Sequence, residues 1–183
     1  IDKKLLTKEE CESCDWGGSE SYVDYEKMYL SRFKLLRKAY ERANLKNDPD
    51  YVAFLKQEED WLLDYCLFMA IKNAQNGKCW IDWPEELKDR HSKAVKEAEK
   101  ELAEEVEFYS FQQYCFTTQW SKLKKYANKK GIQIIGDVPI YVALDSSDAW
   151  ANPEMLQFDE DYKPKAVAGC PPDAFSASGQ LWG

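Results

Sequence analysis

Hydrophobic positions from about residue 24 to residue 130 mostly follow the period of an α-helix, whereas residues 1–23 show little pattern beyond a short helix signal. One stripe predicts a helix from about Asp24 to Leu45, since its apolar residues recur every three or four positions: Tyr25, Tyr29, Phe33, Leu36, Tyr40 and Ala43. Residues 50–76 predict one or two further helices, with a core of Trp61, Leu62, Tyr65, Phe68 and Met69. A third stripe, from Val95 to Ala127, predicts a single helix of about nine turns.

Polar residues and glycines mark where these helices begin and end. Thr7 is a candidate N-cap for a short first helix, and Asn47-Asp48-Pro49 ends one helix and caps the next. Asp82-Trp83-Pro84 followed by two glutamates has the composition of a helix start. Gly131, after two lysines, is typical of a helix C-terminus.

The period changes after Gly131. The mostly apolar, β-branched segment Ile132–Val138 predicts a buried parallel strand. Aromatic side chains occur on every face of the predicted helix over residues 108–120. This pattern predicts that the second half of the long helix is buried in a larger domain. Asp145–Asp148 predicts a cap on one helical turn, residues 155–167 predict a small hairpin around Asp159–Tyr162, and residues 169–183 show no regular pattern.

Charge excludes two classes of partner. The 183 residues include 33 Asp and Glu against 25 Lys and Arg, a net charge of -8. Nucleic acids and anionic membranes require clustered positive charge, so neither is expected as a partner. No run of 18 apolar residues predicts a membrane span. Apolar residues make up 44% of the chain, which is typical of a globular protein.

The six cysteines predict neither a metal site nor a disulfide framework. Only Cys11 and Cys14 have a metal-binding or redox spacing, and a zinc site needs four ligands, whereas His91 is the only histidine. Scattered cysteines are typical of reduced thiols in a cytosolic protein. No phosphate-binding glycine loop and no nucleophile elbow is present.

Two places carry candidate binding chemistry. Asp137 lies at the C-terminal end of the predicted strand, the edge where α/β proteins bind ligands. The alternative, equally compatible with the spacing, is a carboxylate that caps the following turn or pairs with an arginine or lysine of a neighbouring strand. The segment 169–183 combines rings with polar groups, which suits a sugar with its hydroxyl edges and C–H faces. A surface loop held by its rings is the alternative. The segment's candidate residues are Asp173, Phe175, Ser176, Gln180 and Trp182.

The second half of the chain resembles the 4-alpha-glucanotransferase family (amylomaltase or disproportionating enzyme, glycoside hydrolase family 77). The resemblance is dense over residues 108–183 and looser over 1–107. The segments that carry it are Gln119-Trp120, Leu123–Ala127, Gly131-Ile132, Ile134–Ala143, Asp145-Ser146, Trp150–Glu154 and Val167–Gly183.

The resemblance implies a cytoplasmic enzyme without a cofactor or metal, built on a (β/α)8 barrel with extra subdomains. Such an enzyme transfers α-1,4-glucan segments between maltodextrins or to glucose, with retention through a covalent intermediate. It implies substrate contacts for Asp137 and for the five loop residues above. Its nucleophile lies in an Arg-x-Asp motif, which is absent here, so no catalytic residue is assigned in this chain.

We therefore expect an α/β class fragment: a helical insertion subdomain over 1–107 and a partial barrel over 108–183, with one or two barrel strands and a small hairpin. A barrel needs about 250 residues. The fragment alone is expected to be inactive, and its uncovered barrel edges favour self-association. The alternatives are a non-catalytic helical interaction module and another barrel hydrolase acting on α-glucans.

Overall fold

The computed structural model describes residues 4–139 and 141–182, and the helical prediction is confirmed over most of them. Short 3-10 turns occur at Leu45–Asn47, Trp80–Asp82 and Pro153–Met155. The helices within the described residues are α1 (Lys8–Glu12), α2 (Tyr25–Glu41), α3 (Pro49–Gln57), α4 (Leu62–Ala74), α5 (Glu85–Lys88), α6 (Ser92–Glu101), α7 (Ala103–Lys129) and α8 (Ser147–Ala151).

Predicted caps begin three of the helices. Thr7 and Glu10 form a reciprocal capping box at α1, in which each side chain accepts a hydrogen bond from the other residue's backbone N–H. The Asp48 carboxylate accepts from the backbone of α3, and Ser146 Oγ accepts from Ala149 N at 3.2 Å to start α8. Each cap satisfies backbone donors that have no partner inside the helix.

Helices α2, α3, α4 and α7 enclose the first hydrophobic cluster. Its buried members are Ala39, Leu45, Tyr51, Phe54, Leu62, Cys66, Ala70, Tyr109, Phe111 and Tyr114. The predicted face of α2 is only partly correct. Phe33, Tyr40 and Ala43 of the predicted stripe are partly buried against this cluster, whereas Tyr25 and Tyr29 are exposed because the contacts of α2 with the cluster begin only at Phe33. The fully buried Leu35 and Ala39 lie beside the predicted stripe.

Two other predictions for the helical region are corrected. Trp61 is 42% exposed, since it lies at the start of α4 and its indole N–H donates to Glu58 Oε2 at the surface. The long helix from Val95 is interrupted at Leu102, between α6 and α7. Leu102 is partly buried at the break and contacts both hydrophobic clusters.

The second cluster is built around three buried tryptophans. Trp80, Trp83 and Trp150 pack with Phe68 of α4, and Trp83 and Trp150 meet edge to face with ring centroids 5.6 Å apart. Phe158 and Tyr162 add two more rings against Trp80. This cluster joins α4 to α8 and to the small hairpin over 155–167, which the structure confirms through a bridge between Phe158 and Pro164.

The predicted barrel strand is not formed. Residues 132–139 adopt neither helix nor strand, and Ile132, Ile135 and Val138 are exposed. A parallel strand is stable only between neighbouring strands, and the described residues contain none beside it. For the same reason the second half of α7 is open: Phe116 and Trp120 are exposed although Phe108 and Phe111 are buried. Among the described residues, no helix combines the length and apolar character that a membrane span needs.

We predict that Trp150→Phe destabilises the fold. Trp150 is 0% exposed, and its Nε1 donates to the carbonyl oxygen of Leu87 at 2.9 Å. Phenylalanine leaves that buried acceptor unpaired, so the free energy of unfolding should fall by about 1–3 kcal/mol. Urea unfolding measures the change.

Trp61→Phe is the matched control for Trp150→Phe. It also removes a hydrogen-bonded indole, but at the surface, and should change the free energy of unfolding by less than about 0.5 kcal/mol. Equal losses in the two variants would contradict the role assigned to the tryptophan cluster.

Candidate functional site

The loop that contains most of the candidate residues is closed by a small sheet that sequence reasoning missed. Strands β1 (Gly169–Cys170) and β2 (Gln180–Leu181) pair antiparallel, with Cys170 opposite Gln180. The described loop ends at Trp182, and Gly183, the last residue of the predicted loop, lies outside the described residues. Asp173, Phe175 and Ser176 are thereby held between the two strands.

The carboxylate of Asp173 shapes this loop. Its Oδ1 accepts hydrogen bonds from the backbone N–H groups of Phe175 and Ser176, each at 2.8 Å. Ser176 Oγ in turn donates to the carbonyl of Gly179 at 2.6 Å. Two predicted binding residues therefore have a structural role in their own loop, and the turn leaves the Phe175 ring 95% exposed.

Gly179 is required where the loop returns to β2. Its φ of 75° lies in the left-handed region, and a Cβ there would approach the carbonyl oxygen of Cys170 to 2.5 Å. The signal for this turn was present in the sequence as Ser-Gly before Gln180, but the partner strand two residues long was too short to recognise.

Trp182 is held by two hydrogen bonds and a ring contact. Its indole Nε1 donates to Gln180 Oε1 at 3.0 Å, and its backbone N–H donates to Ala168 O at 2.7 Å. The ring packs on Tyr141, with centroids 5.8 Å apart and planes inclined by 31°. Trp182 remains 44% exposed, so a hydrogen-bonded, oriented ring faces the solvent.

Tyr141 is a residue that the sequence reasoning missed. It brings the segment after Asp137 into contact with the loop, and it lines an open groove of about 390 Å³ together with Leu144, Leu156, Phe158, Ala166 and Ala168. The available signal was an aromatic residue four positions after the candidate aspartate, within the quoted Ile134–Ala143 segment.

Asp137 is placed on an irregular, exposed segment, and not at the end of a strand. The hydrogen bond found for its carboxylate is local, from Val138 N to Oδ1 at 2.9 Å. In the loop, Asp173 contacts Phe175 and Ser176, and Trp182 contacts Gln180 and Tyr141. Asp137 precedes Tyr141 by four residues in the chain.

Local interactions shift the pKa values of two side chains, Asp159 in the small hairpin and Cys79 before Trp80. The backbone N–H of Lys163 donates to Asp159 and holds the pKa of that carboxyl below its ordinary value. On the helical side, burial raises the pKa of the Cys79 thiol, and the nearby charge of Asp145 acts in the same direction. Both groups thus keep their ordinary neutral-pH forms, carboxylate and thiol.

Cys11 lies in α1 and Cys14 follows it, both as free, partly buried thiols. Across residues 4–139 and 141–182, no group of three or more His, Cys, Asp or Glu side chains is placed to hold a metal ion. Cys66, a residue of α4, is buried in the first hydrophobic cluster. Burial raises the pKa of its thiol to about 12, so the thiol stays protonated at neutral pH.

Comparison with known proteins decides the family. The family model for glycoside hydrolase family 77, 4-alpha-glucanotransferase, matches residues 1–183. The chain belongs to this family. Two similar relatives, both named 4-alpha-glucanotransferase, come from Clostridium butyricum (44% identical over 183 residues) and Thermus thermophilus (45% identical over 173 residues).

The match extends to a solved glucanotransferase structure. An amylomaltase from Streptococcus agalactiae, solved in complex with acarbose, superposes with a TM-score of 0.90 at 38% identity and covers 99% of this chain. The chain spans 38% and 35% of the two relatives' lengths and 37% of that amylomaltase. The resemblance seen in the sequence is therefore confirmed along the whole chain.

We predict that Asp173→Ala opens the loop and Asp173→Asn preserves it. Asparagine keeps an Oδ1 acceptor for the two backbone N–H groups, whereas alanine removes it. Amide hydrogen exchange at Phe175 and Ser176 should accelerate in the alanine variant alone. Equal exchange in both variants and the parent would show that the carboxylate does not shape the loop.

Proposed function

We propose that this chain forms part of the glucan-binding region of a 4-alpha-glucanotransferase. That enzyme transfers α-1,4-glucan segments between maltodextrins or to glucose. The observation that carries the proposal is the family match over residues 1–183, together with a backbone similar to an amylomaltase that was solved with acarbose. We assign residues 1–107 to a helical subdomain and 108–183 to part of a (β/α)8 barrel.

The chemistry of the loop suits a glucan. Sugar rings have apolar C–H faces that pack on aromatic side chains and hydroxyl edges that need hydrogen-bonding partners. The oriented indole of Trp182 and the exposed ring of Phe175 supply faces. Asp173, Ser176 and Gln180 are the proposed polar contacts. Asp173 and Ser176 also shape the turn that presents Phe175, and Gln180 also orients the indole of Trp182.

Asp137 takes a different role in the proposal. The family resemblance implies that Asp137 contacts the sugar next to the bond that is cleaved. Asp137 is exposed, so its carboxylate is available for such a contact. Once barrel strands lie on both sides of residues 132–138, that segment becomes a strand and its end brings Asp137 to the ligand-binding edge.

The transfer chemistry itself requires groups outside this sequence. Retention needs a nucleophilic carboxylate and an acid/base carboxyl about 5–5.5 Å apart. The arginines here are Arg32, Arg37, Arg42 and Arg90, and none has aspartate two positions later. We therefore assign binding, and no bond-breaking step, to the residues of this chain, within a cytoplasmic enzyme.

The two alternatives have less support. A self-contained helical interaction module does not account for a family match that continues through the loop-rich residues 130–183. A hydrolase acting on α-glucans would share the barrel, but the named relatives are glucanotransferases.

We predict that Asp137→Asn impairs glucan transfer without impairing folding. In a full-length protein that contains this sequence, the substitution keeps the side chain's shape and removes its charge. Turnover of maltotriose should fall by about tenfold or more, the effect of losing 1.4 kcal/mol or more in the transition state, at an unchanged melting temperature.

Asp161→Asn is the control for Asp137→Asn, because it neutralises an exposed carboxylate paired with Lys163 in the small hairpin. It should leave turnover unchanged. Normal turnover of Asp137→Asn per folded molecule would refute the role proposed for that residue.

We predict that the 183-residue polypeptide by itself does not disproportionate maltotriose, since it lacks the nucleophile motif. Chromatography of the reaction should show neither glucose nor longer maltodextrins. Sustained disproportionation that is abolished by a substitution within this sequence would place the catalytic pair here instead.

We also propose that the 183-residue polypeptide self-associates through the apolar surface of the second half of α7 and residues 132–138. Sedimentation velocity should show an average mass that rises with protein concentration. Ile135→Asp should weaken this association, because Ile135 is 95% exposed on that surface. Met155→Asp, at an exposed position elsewhere, is the control. A monomer at all concentrations would contradict the proposal.

A further inference from the structure

The segment 141–145 is attached to the helical region at one end. Trp80 Nε1 donates to the carbonyl of Leu144 at 2.7 Å, and the Lys72 ammonium forms an ion pair with Asp145 Oδ2. The two attachments fall on consecutive residues, so they fix both the position and the direction of the chain at this point.

Lys72 is itself closely held. It lies in the last turn of α4, where its Nζ also approaches the carbonyl of Lys78 at 3.4 Å and the ring of Phe68 at 5.9 Å from the centroid. The side chain is 23% exposed. The Asp145 side chain is 36% exposed, so this ion pair is partly exposed, yet it is less open to water and salt than the Lys163–Asp161 pair, whose side chains are 67% and 76% exposed.

The other end of the segment contacts the candidate glucan loop. Tyr141 packs on Trp182, whose backbone N–H is bonded to Ala168. A continuous set of contacts therefore runs from α4 through Asp145 and residues 141–145 to the ring that faces the solvent.

Helix α8 does not depend on the Lys72 ion pair. Its first turn is capped by Ser146, and Trp150 is buried and bonded to Leu87. Loss of the ion pair should therefore loosen residues 141–145 while α8 stays in place, and the effect on the site can be separated from the effect on folding.

We propose that Lys72 is a positioning residue for the glucan site: through Asp145 it fixes residues 141–145, and with them Tyr141 against Trp182. This inference rests on the proposed function, since it names a residue that acts on the same site without touching the sugar. It predicts that charge at position 72 affects the geometry of the site more than the stability of the fold.

The first test is amide hydrogen exchange of the 183-residue chain. Lys72→Met keeps the aliphatic part of the side chain and removes its charge, and Lys72→Arg keeps the charge. The reporter is the amide of Trp182, which donates to Ala168 O at 2.7 Å beside the ring of Tyr141. It should exchange about fivefold faster in Lys72→Met, the factor that 1 kcal/mol of local stability gives. Lys72→Arg, and the control Lys163→Met in the exposed hairpin pair, should leave its exchange rate unchanged.

Asp145→Asn should also accelerate exchange, and the double variant should exchange no faster than Asp145→Asn alone, because the Lys72 ion pair is already lost there. Asp145 also interacts with the Cys79 thiol, so Lys72→Met is the more specific variant. Unchanged exchange in Lys72→Met, or faster exchange spread evenly over the chain, overturns the inference.

The second test is transfer from maltotriose by a full-length protein that contains this sequence, at a temperature where every variant is folded. Lys72→Met should lower kcat roughly tenfold with little change in KM, because misplaced binding groups disturb the reacting geometry, and Lys72→Arg should restore it. Faster exchange with an unchanged kcat overturns the inference. A wild-type protein without transfer activity refutes the proposed function instead, and the exchange experiment then decides alone whether Lys72 fixes the segment.

Discussion

The structure depends on the need of three buried indoles for hydrogen-bond acceptors. Trp80, Trp83 and Trp150 are almost completely excluded from water, and an unpaired indole N–H in such a place would cost about 1–3 kcal/mol. Each N–H finds a backbone carbonyl: Leu144, Lys78 and Leu87, respectively. Because the partners are backbone groups on connecting segments, the rings determine where those segments run as well as filling the core.

This constraint links the helical region to the candidate glucan site. Trp80 holds Leu144 and packs on Phe158 and Tyr162, so the chain after Asp137 and the small hairpin are fixed by the same ring. The loop with Trp182 is reached through Tyr141. Among the described residues, the surface around residues 132–138 is open, whereas the three tryptophans are buried with their indole N–H groups bonded.

Features governed by local rules could be predicted from the sequence. The caps at Thr7, Asp48 and Ser146 depend on side chains a few residues from the groups they satisfy, and each was recognised. The small hairpin was recognised for the same reason. The face of α2 depends on which distant helices pack against it, so periodicity alone misplaces Tyr25. The break at Leu102 leaves no mark in the apolar pattern, which continues on both sides of it.

The candidate site divides in the same way. Composition and the family resemblance single out its loop residues as candidates, but the strand pairing that closes the loop and the turn made by Asp173 are seen only in the structure. The strand predicted at Ile132–Val138 requires neighbours that the described residues do not include, so correct local propensity did not produce a strand here. Tyr141 was missed because only its contact with Trp182, 41 positions further along the chain, connects it with the candidate loop.

The central claim is that the tryptophan cluster joins the helical region and the segments next to the site into one cooperative unit. Native-state hydrogen exchange in increasing urea tests this claim most directly. If the claim holds, amides of α4 and of α8 lose protection at the same urea concentration, in a single transition. Loss of protection in α8 at a clearly lower urea concentration, with α4 still protected, would show that the two unfold independently and would contradict this account.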